Sequence, residues 1–538
     1  MKRWHVIVAL VVIGAALYAP NLSNSLFWDD DDWIVNNPAV HSLSWENTKF
    51  LFSTDVTAGI GVRSNYYRPV LMMSFALNWV LHGASPWGWH VVNNGLHILS
   101  AVLLFLLLER LLANRAAAAI AALMWLIHPV QTESVAYVNS RGDSLALVLS
   151  LEVLLVWWRT KKILSLSALA GLVLFILAIL SKETAVLIPA LMVLVLLACR
   201  YCTDSFWRAT WAALRRVWPL IVLGVAYVLL RLTVLDFANT LNWYRQPNIY
   251  TQNVEVRIWT FLGAVWEYLR ITLVPIGLRM EHGVPVLTAP WQWPAYAGLL
   301  IVALAVWWVV RSWRRGDRLP FFGVTWFFIA LAPASGIVAP INALFYEHWL
   351  YVPLIGPAVL FGVYGWRWGK RIWDARRLWG IVILVCVVAY AAFLAVQTVR
   401  RNIIWGKQEE FYLHILSYEP KDVRVLNNLA NLYADSKRLS EAQYYLELAI
   451  EADPSQSAPF HNLANLMRDQ GQPDMAIELY ILAIQRDKYF YWAYRNLTVV
   501  LLEEERYEDA LQVVTAYRSI YPNDAQMNAV YDSLTSTR

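Results

Sequence analysis

Residues 1–34 read MKRWHVIVALVVIGAALYAPNLSNSLFWDDDDWI. An apolar run from Val6 to Ala19 follows the basic pair Lys2 and Arg3. Spanning a hydrocarbon core of about 30 Å takes roughly 20 apolar residues, fewer where flanking side chains snorkel. No small-residue cleavage site follows, so the run reads as an uncleaved signal-anchor with Lys2 and Arg3 in the cytoplasm. Asp29, Asp30, Asp31 and Asp32 then come where such a helix would just have left the bilayer. Four adjacent like charges repel and gain nothing from packing. One reading is a solvated loop end or an N-cap cluster. The other is a base, with or without a cation, held at the membrane surface. The rest of the chain has to decide.

The composition is that of a membrane protein. Of 538 residues, 59% are hydrophobic and 15% charged, against about a quarter charged in soluble domains. The 29 tryptophans and 27 tyrosines suit amphipathic rings crowding two membrane interfaces. The net charge of +5 is spread over loops, and no basic patch interleaves with aromatics as nucleic-acid binding needs. Cys199, Cys202 and Cys386 make no disulfide framework, and the lone Cys-x-x-Cys has no histidines or second pair to make a metal or redox site.

Apolar runs predict about eleven spans, near 5–20, 89–110, 115–130, 143–159, 163–180, 184–200, 217–235, 292–311, 319–335, 349–366 and 378–399. The loops holding Arg110 and Arg115, Arg159 to Lys162, Arg200 to Arg216, Arg311 to Arg318 and Lys370 to Arg377 fall on one side, which the positive-inside rule makes cytoplasmic. A span at 258–276 would break that order, so this segment reads as a re-entrant or surface helix in a long outer loop from Asp236 to Pro290. Eleven spans put the N-terminus in and the C-terminus out.

Near Arg400 the chain turns charged and soluble, and it repeats with a period of 34 across blocks 423–456, 457–490 and 491–524. That is the tetratricopeptide (TPR) period of paired helices. Ala442, Ala476 and Ala510 hold the small-residue position, and Leu429, Leu463 and Leu497 the packing position. Pro454 and Pro522 end their turns, with Lys488 in the middle block, and Pro420 marks 406–420 as a preceding half-repeat. The domains are therefore 1–400 in the membrane and 401–538 as the repeat array. Stacked repeats form a concave binding surface.

Ionisable groups at a membrane's edge are costly and count as functional candidates. Besides the acidic run these are Arg68, His128 and Glu133, Arg141 and Asp143, Lys182 and Glu183, and Tyr346-Glu347-His348. A carboxylate can take a proton from an attacking hydroxyl, and cations can hold a phosphate, arginine bidentately. Each has a plainer reading: Arg141 and Asp143 as a helix-start pair, Lys182 and Glu183 as punctuation, His128 as a satisfied interfacial histidine. His5, His82, His90 and His97 read as isolated, and Asp236 and Glu255 as solvated. No Gly-rich phosphate loop, nucleophile elbow or zinc spacing is present, which disfavours an ATP-driven transporter.

The motifs Phe27-Trp28-Asp29-Asp30-Asp31-Asp32-Trp33-Ile34 with Asn36-Asn37-Pro38, Tyr67-Arg68-Pro69-Val70, His128-Pro129-Val130-Gln131-Thr132-Glu133-Ser134 and Ser181-Lys182-Glu183 resemble, in order and over nearly the whole chain, the transmembrane and tetratricopeptide-repeat protein O-mannosyltransferases, which have many bacterial relatives. The resemblance implies an all-α GT-C fold, a polyprenyl-phosphate sugar as donor and an extracytoplasmic hydroxyl, as of protein Ser or Thr, as acceptor. It puts the catalytic base on Asp29 or Asp30. Asp31 and Asp32 exceed the family's usual pair, and a divalent metal there is compatible but not required. Arg68, His128, Glu133, Arg141, Lys182, Glu183 and His348 become the donor and phosphate contacts, although His348 stands where relatives often carry arginine. Asn428, Asn462 and Asn496, with Asn431 and Asn465, recur in register and look like the asparagine ladder that holds an acceptor peptide in another TPR glycosyltransferase.

The expected protein is a membrane glycosyltransferase, of the bacterial inner membrane by its short basic leader, with its repeats outside. The rivals are a non-enzymatic scaffold whose repeats recruit partners, and a flippase or polymerase of lipid-linked glycans.

Overall fold

The computed structural model describes residues 2–60, 64–160, 162–200, 205–235, 248–341, 343–522 and 524–536. Cys202 and Asp236 lie outside the described residues. Every regular element among the described residues is helical, and the chain divides into two compact units, Met1–Lys407 and Gln408–Arg538.

In the first unit five helices are long and apolar enough to cross a membrane by length and composition: Arg3–Ser23, Pro86–Leu112, Phe206–Arg231, Trp293–Arg314 and Arg377–Ile404. Four shorter apolar helices lie at other predicted spans, Arg115–Leu126, Leu166–Ser181, Glu183–Cys199 and Leu319–Ser335, and a fifth, Pro69–His82, lies where no span was predicted. Their brevity has local causes. Helix Arg115–Leu126 stops before Pro129, because a proline pushes the preceding residue out of the helical region. Helix Leu166–Ser181 is broken by Lys182, whose backbone is extended at φ −155° and ψ 132°. The remaining predicted spans carry polar groups inside helices Arg141–Arg159 and Ile355–Ala375.

Small residues let the helices close up, since in lipid the association rests on packing rather than on a hydrophobic drive. A Cβ on Gly362 would lie 2.6 Å from the Ala117 carbonyl oxygen, and one on Gly356 2.2 Å from that of Gly323. The 258–276 segment forms one continuous helix, Val254–Leu273, without the break a re-entrant hairpin requires. It lies against helix Trp293–Arg314, where a Cβ on Gly298 would strike the Leu262 carbonyl. Its buried Tyr268 and Ile271 join Val130, Phe345 and Leu350.

The two ends of the bundle differ in chemistry. At one, Glu109 accepts from Arg3 at 2.6 Å and from Arg115, and Arg216 donates to the carbonyls closing helix Arg141–Arg159. At the other, three buried asparagines join the first, second and last long helices. Asn21 donates to Asn94 at 3.0 Å and to Asn402 at 3.3 Å, and Asn94 returns a bond to Asn21 at 2.8 Å.

The second unit is a solenoid of helix pairs: Val423–Asp435 with Leu439–Ala452, Ser457–Asp469 with Pro473–Arg486, and Tyr491–Glu503 with Tyr507–Ile520. Gln408–Leu416 precedes them and Ala525–Ser536 follows. Ala442, Ala476 and Ala510 are wholly buried, as the close approach of paired helices demands. Each pair turns through a left-handed residue one period apart: Lys437 at φ 61°, Gly471 at φ 74° and Glu505 at φ 58°.

Candidate active site

The acidic run opens with strain. Trp28 has φ 62°, uncommon for a bulky residue outside glycine's territory, and this twist turns Asp30 inward while Asp31 and Asp32 stay exposed. Asp30 is 2% exposed and its Oδ1 accepts the Asn139 backbone N–H at 2.7 Å. Burial pushes its carboxyl well above the usual range; the Asn139 and Val138 N–H groups pull the other way, and Asp29 and Asp31 add to the rise. Asp29 is half-buried and bonded to the Tyr137 hydroxyl, and the Tyr137 ring stacks on Trp405 at 5.6 Å. The run is thus fastened to the turn after helix Thr132–Ala136.

From Asp29 a chain of charges crosses the same end of the bundle. Tyr66 feels both Asp29 and Glu183 and lies under the Arg68 guanidinium at 4.7 Å. Arg68 grips Glu183 bidentately, at 2.9 Å from Nε and 2.6 Å from Nη2. Lys182 bonds Asp143 at 2.6 Å, both about nine-tenths buried. His348 feels Lys182, Asp143 and Arg68, and its Nδ1 lies 2.6 Å from Glu133 Oε1. Arg68, Lys182 and His348 are therefore each matched by a carboxyl group.

Two expected phosphate contacts are built into the scaffold instead. Arg141 is wholly buried, donating to Asn93 and Asn78 at 2.7 Å each and to the Ser74 and Trp89 carbonyls at 3.2 and 3.4 Å. Its guanidinium stacks on Phe75 and Trp89, which leaves no face for a phosphate. His128 donates from Nε2 to the Thr272 carbonyl at 3.1 Å and accepts the Val130 N–H at Nδ1. It ties its loop to helix Val254–Leu273, the plainer of its two readings.

A second buried carboxyl from the Tyr346-Glu347-His348 motif acts on Glu133. Glu347 is 0% exposed and accepts from the Arg279 backbone at 2.5 Å and from His282 at 2.9 Å. Arg401 Nη2 lies 2.8 Å from Glu347 Oε2, a charge contact set off the hydrogen-bonding direction. The Glu347 partners His282 and Arg401 were not singled out in the sequence; the signal for Arg401 was an arginine closing the last apolar run. Among the described residues no three His, Cys, Asp or Glu side chains group closely enough to hold a metal ion, Asp31 and Asp32 included.

In the repeats the asparagines bond largely to one another. Asn462 donates to Asn427 at 2.8 Å, and Asn496 donates to Asn465 at 2.9 Å and to His461 Nε2 at 3.0 Å. Asn465 also accepts from Tyr480 at 2.6 Å. Asn428, half-buried, and exposed Asn431 make no such bond. Much of the expected ladder is a seam between repeats, because helix stacking brings each amide to the preceding repeat before any ligand.

Tetratricopeptide-repeat family models match residues 423–456 and 467–534. Among curated proteins, a Caenorhabditis elegans protein O-mannosyl-transferase is 26% identical over 84% of this chain and 63% of its own length. The human protein O-mannosyl-transferase TMTC1 is 24% identical over 84% of this chain and 55% of its length, and mouse TMTC3 is 23% identical over 89% and 54%. The chain spans little more than half the length of these relatives. With its apolar helices and its TPR array, it is an integral membrane protein and a relative of the transmembrane, TPR-containing proteins named protein O-mannosyl-transferases.

Proposed function

We propose that this chain transfers a sugar, mannose or one like it, from a polyprenyl-phosphate donor to a hydroxyl of an extracytoplasmic protein. The observation that carries the reading is the fastening of Asp30 to Asn139 and of Asp29 to Tyr137, with Tyr66 linking Asp29 to the Arg68–Glu183 pair. A scaffold has no use for carboxyls turned inward by a strained Trp28 at the end of the bundle that holds these paired cations. The names of the relatives supply the reaction class.

Asp29 is the base. It is the better exposed of the two inner carboxyl groups, while buried Asp30 accepts the Asn139 backbone N–H and holds the run in place. The acceptor oxygen attacks the anomeric carbon as Asp29 takes its proton, and the lipid phosphate leaves toward Lys182 and Arg68. The basic end of the bundle is cytoplasmic by the positive-inside rule, which leaves the acidic end and the TPR array outside, in the manner of a bacterial inner-membrane protein. The repeats receive the acceptor protein, with Asn428, Asn431 and the remaining Asn496 carbonyl as its amide contacts.

The test is transfer from polyprenyl-phosphoryl mannose to a Ser/Thr peptide by purified protein. Asn at position 29 lowers the rate about 10²–10⁴-fold, the usual contribution of a positioned base. A folded Asp29→Asn/Asp30→Asn variant with undiminished transfer would sink the assignment.

A further inference from the structure

The cations at this end of the bundle, Lys182 and Arg68, bring no net charge, since Lys182 is matched by Asp143 and Arg68 by Glu183. Under the proposed reaction the donor phosphate is a diester with one negative charge. It departs as a monoester and acquires a second. Stabilisation that exists only as this charge develops is what lowers a barrier. The described charges nearby offer it in one place.

That place is the Glu133–His348 pair. Glu133 is wholly buried; its Oε2 accepts the His348 backbone N–H at 3.2 Å and its Oε1 lies 2.6 Å from Nδ1. Tyr346 stacks on the imidazole at 5.2 Å and holds its plane. The far nitrogen, Nε2, makes no hydrogen bond among the described residues, on a side chain 17% exposed. The Glu133 carboxyl group thus orients the ring from inside while Nε2 faces outward.

Every neighbouring element contributes to the electrostatics. Lys182 comes from the break after helix Leu166–Ser181, Arg68 from the turn before Pro69–His82, Asp143 from helix Arg141–Arg159, and Glu347 from the ring's own segment. Glu133 in turn feels Glu347, Arg401 and His282. Burial and then Glu347 raise Glu133 well above the carboxylate range, and burial and then the Lys182 ammonium lower the imidazole. Protonated Glu133 donating to Nδ1 leaves the one remaining imidazole proton on Nε2.

Resting on the transferase reading, we propose that Glu133 and His348 form the general acid for the departing phosphate. As the acceptor oxygen bonds to the anomeric carbon, the carbon–oxygen bond to phosphate breaks and its electron pair goes to the phosphate oxygen. That oxygen takes the Nε2 proton of His348, and the Glu133 proton passes to Nδ1. Glu133 is left as a carboxylate and Asp29 as a carboxylic acid, and solvent resets both. His348 is the catalytic residue and Glu133 its positioning and proton-holding partner.

The test uses the full chain in detergent and two probes, a short polyprenyl phosphate and its methyl diester. Wild-type protein binds the monoester at least tenfold more tightly than the diester at pH 7.5, and the preference fades as pH rises. His348→Gln removes the preference and leaves diester affinity unchanged; His348→Arg restores it without the pH dependence. In the transfer assay His348→Gln lowers kcat about 10²-fold with KM little changed and abolishes the alkaline fall in rate. An undiminished monoester preference in folded His348→Gln overturns the general acid while leaving the transferase reading to the Asp29→Asn result. Failure of the wild-type protein to bind either ester overturns both.

Discussion

Arg141 separates a structural from a substrate-binding role most sharply. Its guanidinium satisfies Asn93 and Asn78 at 2.7 Å each and reaches two carbonyls, with no carboxylate among its hydrogen-bond partners. Arg141→Gln leaves at most two N–H donors for the four acceptors that the guanidinium serves, so buried oxygens lose their donor, at a cost of about 1–3 kcal/mol. The lost stacking on Phe75 and Trp89 adds about 1–2 kcal/mol. Relief of a desolvated charge offsets part of this, leaving a net loss of about 2–4 kcal/mol. On the usual scaling for large domains that lowers the melting temperature by roughly 3–8 °C. The assay is thermal unfolding in detergent, followed by binding of a short polyprenyl phosphate to the folded protein. Arg141→Gln lowers the first and leaves the second within about twofold. A variant as stable as wild type that has lost phosphate binding would refute the structural assignment.

Three further outcomes follow from particular contacts. Lys182→Met leaves the buried Asp143 carboxylate unpaired and destabilises by about 3–5 kcal/mol, whereas Lys182→Met with Asp143→Leu recovers most of the stability and none of the transfer; equal stability of the single and double variants in denaturant titration would contradict this. Lys437→Gly and Glu505→Gly relieve the left-handed turns that Gly471 already fills and each stabilise the repeats by about 0.5–1 kcal/mol, read as a higher denaturation midpoint; a lower midpoint in both rejects the strain. Asp30 has a raised folded-state pKa, so the stability it contributes is full at acid pH and is lost as pH climbs through that raised value. Asp30→Asn keeps an acceptor for the Asn139 N–H and flattens the decline, measured as melting temperature between pH 5 and pH 8; an unchanged slope disproves the buried-carboxyl account.

The legible part of the candidate site was its charged residue types at the ends of apolar runs. The acidic run, Arg68, Lys182, Glu183 and His348 were found because ionisable groups beside lipid need a reason to exist. Pairing was not legible. Arg141 and His128 belong to the same motifs as their neighbours, yet both are satisfied by groups far along the chain: Asn78 and Asn93 for Arg141, Thr272 for His128. Glu347 lies in a motif the sequence did flag, but its partners His282 and Arg401 stand in unremarkable stretches and meet it only across the fold. In the repeats the in-register asparagines were evident from the period, but a one-residue offset hands Asn462 to Asn427 rather than to a ligand.

The sequence by itself determined the all-helical class, the apolar helices and the TPR array, because hydrophobic run length and a period of 34 residues are local properties of the chain. Tertiary structure alone decided which carboxylate is buried, which cations are already paired and which histidine keeps a nitrogen open. Those outcomes depend on desolvation and on partners hundreds of residues away: Glu133 meets His348 across 215 positions and Arg68 meets Glu183 across 115. A buried charge takes its character from whatever the fold brings within about 3 Å of it.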